Sequence, residues 1–147
     1  MNRIDVTSLI LEKKRLHGLS WKDISVHLGG SKEWCTAALL GQMPLSAKQA
    51  HTIKQLLDLS DEAERILQEV PLRGCMDSAV PTDPTIYRFY EILQVYGTTI
   101  KELIHEEFGD GIMSAIDFSM DISRVKDEQG DRIKVTLNGK YLKYKKY

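Results

Sequence analysis

The sequence of 147 residues predicts an α+β fold in two parts. We expect residues 1–76 to form a helical bundle and residues 77–147 to form a smaller domain of helix and β-hairpin. Apolar residues recur at helical spacing in the first part, whereas beyond residue 115 they alternate with polar residues as in a half-buried strand. The segment 71–81 contains two prolines and has no period, which is typical of an extended connection.

Five short helices are predicted in the first part. The earliest has an apolar stripe of Val6, Leu9, Ile10 and Leu16, and the other four begin at the serine N-caps Ser20, Ser31, Ser46 and Ser60. The second and third, predicted at 21–28 and 32–40, are joined through Gly29-Gly30, which predicts a helix-turn-helix of the lambda-repressor kind. Val70 is placed on the stripe of the fifth helix, which Pro71 would stop.

A helix-turn-helix raises the question of nucleic-acid binding. Residues 1–57 carry 8 Lys and Arg against 4 Asp and Glu, or +4, and residues 58–147 carry 12 against 17, or −5. A DNA-binding domain usually shows a stronger basic excess. The third helix begins with Lys32, Glu33 and Trp34. A DNA recognition helix needs Arg, Lys, Asn or Gln near its start to contact base edges, and this helix lacks such a set. We therefore expect a structural role and no nucleic-acid partner.

The second part begins with two helices by the same reasoning. Asp83 is a good N-cap and Pro84 suits the first helical position, so the first helix is predicted to run from Pro84 to Gly97. It is apolar on nearly every side, which is typical of burial against a partner chain. A capping box of Thr99 and Glu102 predicts a second helix that ends at Gly109.

Strands follow, because the apolar period changes to two. The alternating apolar residues are Ile116, Phe118, Met120 and Ile122, then Ile133, Val135 and Leu137. Asn138-Gly139 is the strongest short hairpin signal, so we predict a turn there. A sheet of two or three strands is marginal alone, and we therefore expect an oligomer.

The candidate chemistry lies at Arg88, Glu91 and Ser114. Arg88 and Glu91 are neighbours at i and i+3 on the predicted helix, and Ser114 follows a Gly-Asp-Gly turn. A surface ion pair worth about 0.2–0.5 kcal/mol is the simpler interpretation. The aromatic and aliphatic neighbours of Arg88 favour a desolvated guanidinium instead, which is well suited to planar anions.

Cofactor and export signals are missing from the sequence. The four histidines fit no metal spacing and the glycines form no dinucleotide fingerprint, so we expect neither metal nor cofactor. Cys35 and Cys75 are interpreted as free thiols of a reducing compartment. The early apolar run Leu9–Leu11 is too short for a signal peptide, and no run approaches a membrane span, so a cytoplasmic protein is expected.

Several long segments closely resemble the cyanase (cyanate hydratase) family. They are Pro71–Cys75, Pro81–Thr85, Tyr87–Glu91, Leu93–Thr99 and Phe108–Ile112, with a looser match at Thr36–Gln42. The resemblance implies a repressor-like helical domain at 1–76, a catalytic and dimerisation domain at 77–147, and a decamer of five dimers. It places the catalytic residues at Arg88, Glu91 and Ser114.

The resemblance also implies a reaction. Bicarbonate attacks cyanate, the adduct loses carbon dioxide, and the remaining carbamate yields ammonia and a second carbon dioxide, for cyanate detoxification and nitrogen supply. Two substrate anions and an ionised Glu91 exceed the charge of one Arg88, so we expect a site shared between subunits. The alternative is a helix-turn-helix DNA-binding regulator with an anion-sensing dimerisation domain.

Overall fold

The computed structural model describes residues 1–74 and 76–147, which divide next to residue 75 into two compact units. The prediction for Cys75 lies outside the described residues. The helices are α1 (Arg3–Leu16), α2 (Trp21–Leu28), α3 (Lys32–Leu39), α4 (Ala47–Leu57), α5 (Asp61–Ile66) and α6 (Pro84–Phe108). Two strands follow, β1 (Gly111–Val125) and β2 (Arg132–Lys143), which pair antiparallel. The predicted α+β fold is confirmed.

Serine caps set the helix starts of the first unit. The hydroxyls of the four predicted N-cap serines each accept a backbone N–H from the third residue of their helix. Capping boxes close α2, through Ser20 and Asp23, and α4, through Ser46 and Gln49. Gly29 ends α2 with φ of 72°, a left-handed conformation that glycine adopts without steric cost. The helix-turn-helix segment is therefore fixed by local hydrogen bonds.

The first unit has a continuous apolar core. Its fully buried large side chains are Val6, Ile10, Ile24, Cys35, Leu39, Ile53, Leu57 and Leu67. Burial raises the pKa of the Cys35 thiol, which is free as predicted. Two predicted core positions are wrong: Leu16 ends α1 and is largely exposed, and α5 stops at Ile66, before Val70 can face the core.

Arg3 ties three elements of the first unit together. Its half-buried guanidinium donates to the carbonyls of Ala38 at 2.7 Å, Met43 at 3.2 Å and Ile66 at 3.4 Å. These carbonyls lie in α3, in the connection to α4, and at the end of α5. Hydrogen bonds to a charged donor are each stronger than neutral ones, so α1 is held firmly across the bundle.

The second unit has one long helix where two were predicted. α6 continues for 25 residues through Gly97, so the predicted helix end at Gly97 and capping box at Thr99 and Glu102 are wrong. Gly97 does not take a positive φ, and a glycine inside a helix costs only about 1 kcal/mol relative to alanine. The helix-forming residues on both sides outweigh that cost. Asp83, Pro84 and Gly109 bound the helix as expected.

The hairpin turn also differs from the prediction. The strands are connected through residues 126–131, where Asp127 accepts the backbone N–H of Gln129 and Gly130 has φ of 121°. Asn138 and Gly139 instead lie inside β2, paired with Ser119 and Phe118. Glycine in a strand often marks a close backbone approach, and that is its role here.

The apolar surface of the second unit is largely exposed. No residue of α6 is buried, and Phe89, Leu93 and Tyr96 are each about half exposed or more. Among the described residues from 76 onwards, only Gly111 and Ser114 are buried. No helix in the described ranges is long and apolar enough to cross a membrane. The unit therefore presents a broad apolar helix face to its surroundings.

Lys54 gives the first unit a predictable response to pH. Its ammonium bonds to Asp61 and, at 2.8 Å, to Glu64, and these contacts hold the pKa of both carboxyls below their usual range. The unfolded carboxylates bind protons more readily, so this stabilisation is present above about pH 4.5 and is lost as the pH falls. We expect Lys54→Met to lower the free energy of unfolding near neutral pH and to reduce its change between neutral and acidic pH.

The measurement is urea denaturation followed by circular dichroism at fixed protein concentration, at several pH values. Lys13→Met is the matched control, because Lys13 makes only one longer contact, 3.5 Å to the exposed Asp58. Equal pH profiles for Lys54→Met and the unsubstituted protein would contradict the assignment.

Candidate active site

Arg88 and Glu91 lie near the start of α6 and are paired. The Nη1 atom of Arg88 donates to Oε2 of Glu91 at 3.2 Å, and the guanidinium lies 5.8 Å from the ring centre of Tyr87. The predicted i, i+3 pairing is therefore present. The guanidinium is not desolvated within one chain, however, because the two side chains are 63% and 52% exposed. Its apolar neighbours line the same open helix surface instead of covering it.

Ser114 is the buried member of the predicted set. It lies near the start of β1, is 5% exposed, and its Oγ accepts the backbone N–H groups of Ile116 at 3.0 Å and Asp117 at 2.9 Å. A hydroxyl oxygen has two acceptor positions and one proton. Both acceptor positions are filled, so the hydroxyl has only its proton left to offer. The position that Ser114 leaves open is therefore that of a hydrogen-bond donor.

A large bulge in β1 creates this arrangement. Met113 pairs with Tyr141 and Phe118 pairs with Gly139, so the four residues 114–117 of β1 face one residue, Lys140, of β2. Bulges redirect side chains and occur frequently beside active sites. Within the bulge, the backbone N–H groups of Ile116 and Asp117 reach the Ser114 hydroxyl. The sequence alternation gave no sign of this bulge.

Tyr141 packs against the start of β1. Its ring packs against Gly111, where an added Cβ would lie 2.5 Å from Cε2, and its centre is 5.2 Å from that of Phe108. Its hydroxyl is buried and, within residues 1–74 and 76–147, has no hydrogen-bond partner. Sequence reasoning missed Tyr141 and Gly139, because their importance depends on the cross-strand register and on no local motif.

The structure joins Arg88 to Glu91 but does not bring Ser114 to them. Arg88 precedes the end of α6 by 20 residues, about 30 Å along the helix axis. Ser114 lies six residues beyond that end, and six extended residues span roughly 20 Å at most. In the described part of the chain, no hydrogen bond connects Ser114 with Arg88 or Glu91. Met113, next to Ser114, lines a cavity together with Ile104 and Phe108 from the last turns of α6, so the two halves of the predicted site lie towards opposite ends of α6.

Metal ions in proteins are commonly held by clusters of His, Cys, Asp and Glu side chains. No group of three His, Cys, Asp or Glu side chains in residues 1–74 and 76–147 is arranged to hold a metal ion. One chain therefore supplies a cation paired with a carboxylate and, apart from them, a hydroxyl with a free proton. Groups of these kinds can bind anions and stabilise developing negative charge.

Comparison with known proteins decides the family. A family model described as "Cyanate lyase C-terminal domain" matches residues 78–146, and one described as "Cyanate hydratase, N-terminal" matches residues 3–71. The chain belongs to the cyanate hydratase family. Proteins named cyanate hydratase from Methylobacillus flagellatus and Thiobacillus denitrificans are 58% and 60% identical to it over 147 residues, covering 100% of each chain.

A solved structure agrees with this membership. The crystal structure of cyanase from T. urticae matches with a TM-score of 0.81 and 40% identity, over 94% of this chain and 96% of that one. The resemblance of the sequence to the cyanate hydratase family is thus confirmed, and membership makes the chain a lyase. The roles of Arg88, Glu91 and Ser114 stay predictions.

Proposed function

We propose that this member of the cyanate hydratase family decomposes cyanate in a bicarbonate-dependent reaction, with Arg88, Glu91 and Ser114 as catalytic residues. The observation that carries the proposal is the match to proteins named cyanate hydratase along the full chain. The proposed role is cyanate detoxification and nitrogen supply in the cytoplasm. The paired cation and the buried hydroxyl donor are chemically suited to two small anions.

The proposed reaction begins when a bicarbonate oxygen forms a bond to the cyanate carbon. The dianionic adduct takes up a proton on nitrogen and breaks its bond to the former bicarbonate carbon unit, which leaves as carbon dioxide. The remaining carbamate takes up a second proton and breaks its carbon–nitrogen bond. Cyanate, bicarbonate and two protons thus give ammonia and two carbon dioxide molecules, with no oxidant or reductant.

Each residue has a role that its contacts support. Arg88 offers a planar fork of N–H donors that neutralises and orients the anions. Glu91 accepts a hydrogen bond from Arg88 at 3.2 Å, so it orients the guanidinium, and its carboxyl group can assist proton transfer. The Ser114 hydroxyl donates to the adduct, since its acceptor positions are already filled. Preorganised donors of this kind are a major source of transition-state stabilisation.

We infer that the site is assembled from more than one chain. One Arg88 leaves a net charge of −2 once two substrate anions and an ionised Glu91 are counted, and Ser114 lies towards the far end of α6. Association would bury the exposed apolar residues of α6 and the two-stranded sheet. We propose a decamer of five dimers, with residues 77–147 as the catalytic and dimerisation domain and residues 1–76 as its helical partner.

A first prediction concerns the reaction itself. We expect ammonia release from cyanate only when bicarbonate is present, and a loss of about a hundredfold or more in kcat/KM for Arg88→Lys, which keeps the charge but loses the fork. Arg124→Lys is the matched control, because Arg124 also pairs with a carboxylate, Asp131 at 3.1 Å, but lies at the hairpin end. Absence of ammonia at saturating bicarbonate would refute the proposed function.

A second prediction tests the shared site by complementation. Arg88→Ala and Ser114→Ala chains are each expected to be nearly inactive. After reversible dissociation and mixing, some sites would receive an intact Arg88 from one chain and an intact Ser114 from another. Activity should then return in part, whereas mixing either variant with itself should restore nothing. A fully active monomer, or no recovery in verified mixed oligomers, would contradict sharing.

A third prediction is that the protein does not bind DNA sequence-specifically. In α3, Cys35, Ala38 and Leu39 are buried, and Lys32 is paired with Glu33, whose side chain is 10% exposed. The helix therefore offers no set of side chains that reads base edges. Selection from a random duplex library at physiological salt should recover no consensus sequence, and a reproducible footprint would overturn the prediction.

A further inference from the structure

Gly139 lies at the closest approach between the two strands. A Cβ atom at this position would lie 2.2 Å from the carbonyl oxygen of Ser114 and 2.6 Å from Cγ of Met113. Real Cβ atoms essentially never come within 3.0 Å of another heavy atom, so any side chain would push the Ser114 carbonyl away by close to an ångström. Gly139 has no positive φ, so the close approach is what requires glycine here.

The Ser114 carbonyl and hydroxyl belong to one rigid arrangement. The carbonyl rests against the backbone of β2 at Gly139, while the hydroxyl oxygen receives the N–H groups of Ile116 and Asp117 within the bulge. Moving the carbonyl rotates the Ser114–Ala115 peptide unit, and the peptide units that carry the N–H groups of Ile116 and Asp117 follow it directly inside the bulge. The hydroxyl oxygen would then lose the two contacts that fill its acceptor positions.

Catalytic groups tolerate little displacement. A productive geometry is held within about 0.5 Å, and a misplacement of about 1 Å commonly costs a hundredfold in rate. The displacement that an alanine at position 139 would force is of that size. A glycine far from Ser114 in sequence therefore controls the direction of its hydroxyl.

We propose that Gly139 is a positioning residue for catalysis, which allows the β1 bulge to close against β2 and so aims the Ser114 hydroxyl. The inference deepens the proposed function and rests on the role given there to Ser114. Gly139 itself touches no substrate. It acts only through the Ser114 carbonyl.

The test is Gly139→Ala in the full-length protein, with two readouts. We expect kcat to fall about a hundredfold with KM for cyanate and bicarbonate little changed, because Arg88 is untouched. We also expect faster hydrogen exchange at the amides of Ile116 and Asp117, measured by mass spectrometry, approaching that of Ser114→Ala. Glu128→Ala is the control, since Glu128 is exposed in the connection between the strands, outside both α6 and the bulge, and should alter neither readout.

Two further variants separate positioning from general damage. In a Ser114→Ala background, Gly139→Ala should cause no additional loss of kcat, because the group it positions is gone. In Met113→Ala/Gly139→Ala the clash with the methionine side chain is removed while the carbonyl clash stays, so the defect should persist. An equal loss in the Ser114→Ala background, or recovery in the Met113 double variant, would overturn the proposal.

The exchange readout also distinguishes this proposal from the proposed function. If the unsubstituted protein fails to decompose cyanate, the proposed function is wrong, yet exchange at Ile116 and Asp117 still reports whether Gly139 orders the Ser114 hydroxyl. If cyanate is decomposed and Gly139→Ala keeps both its rate and its amide protection, only the positioning role is wrong. Loss of the fold in all three variants with alanine at position 139 would also overturn it.

Discussion

Burial of apolar surface is the constraint on which the second unit depends. A helix of 25 residues has no buried residue, and the sheet beside it has two strands, which alone are marginally stable in water. The first unit, by contrast, closes its own core around Ile10, Ile53 and Leu57. The proposed assembly would supply the second unit with the core it lacks. Under that proposal, burial of α6 and completion of the site are the same event.

The two halves of the candidate site differ in how far a single chain orders them and shields them from water. Ser114 is ordered by its own chain, since its hydroxyl, its carbonyl and its burial are all set by the hairpin. The Arg88–Glu91 pair is open to water, where an ion pair contributes little and salt screens it. Covering the pair in an oligomer would strengthen its attraction for anions, because charges interact more strongly away from water. The Ser114 hydroxyl is thus ordered within one chain, whereas the Arg88–Glu91 pair would be covered only in the proposed oligomer.

Local rules predicted much of the fold. Serine caps and glycine stops depend on adjacent residues, so α2, α3 and α4 began and α6 ended where the sequence indicated. The wrong predictions concern positions where contacts between residues distant in sequence determine the local structure. A helix end at Gly97 and a turn at Asn138-Gly139 are what these short motifs predict from their local residues alone, and both predictions are wrong here. The bulge at Ser114 depends on strand register, and the pairing of Arg88 with Glu91 depends only on helical spacing.

The continuity of α6 restricts how the length of this chain can change. One residue inserted between Arg88 and the helix end would turn Arg88 by about 100° relative to β1 and shift it by about 1.5 Å, because α6 runs unbroken between them. Insertions of three or four residues nearly restore the direction in which Arg88 points around the helix axis, but they lengthen the helix by about a turn. Residues 71–74 and 76–83, in the connection after α5, belong to no helix or strand, so no helical period constrains their number. Natural variation in length is therefore expected in that connection and in the hairpin turn, and not in the helix that separates the two halves of the site.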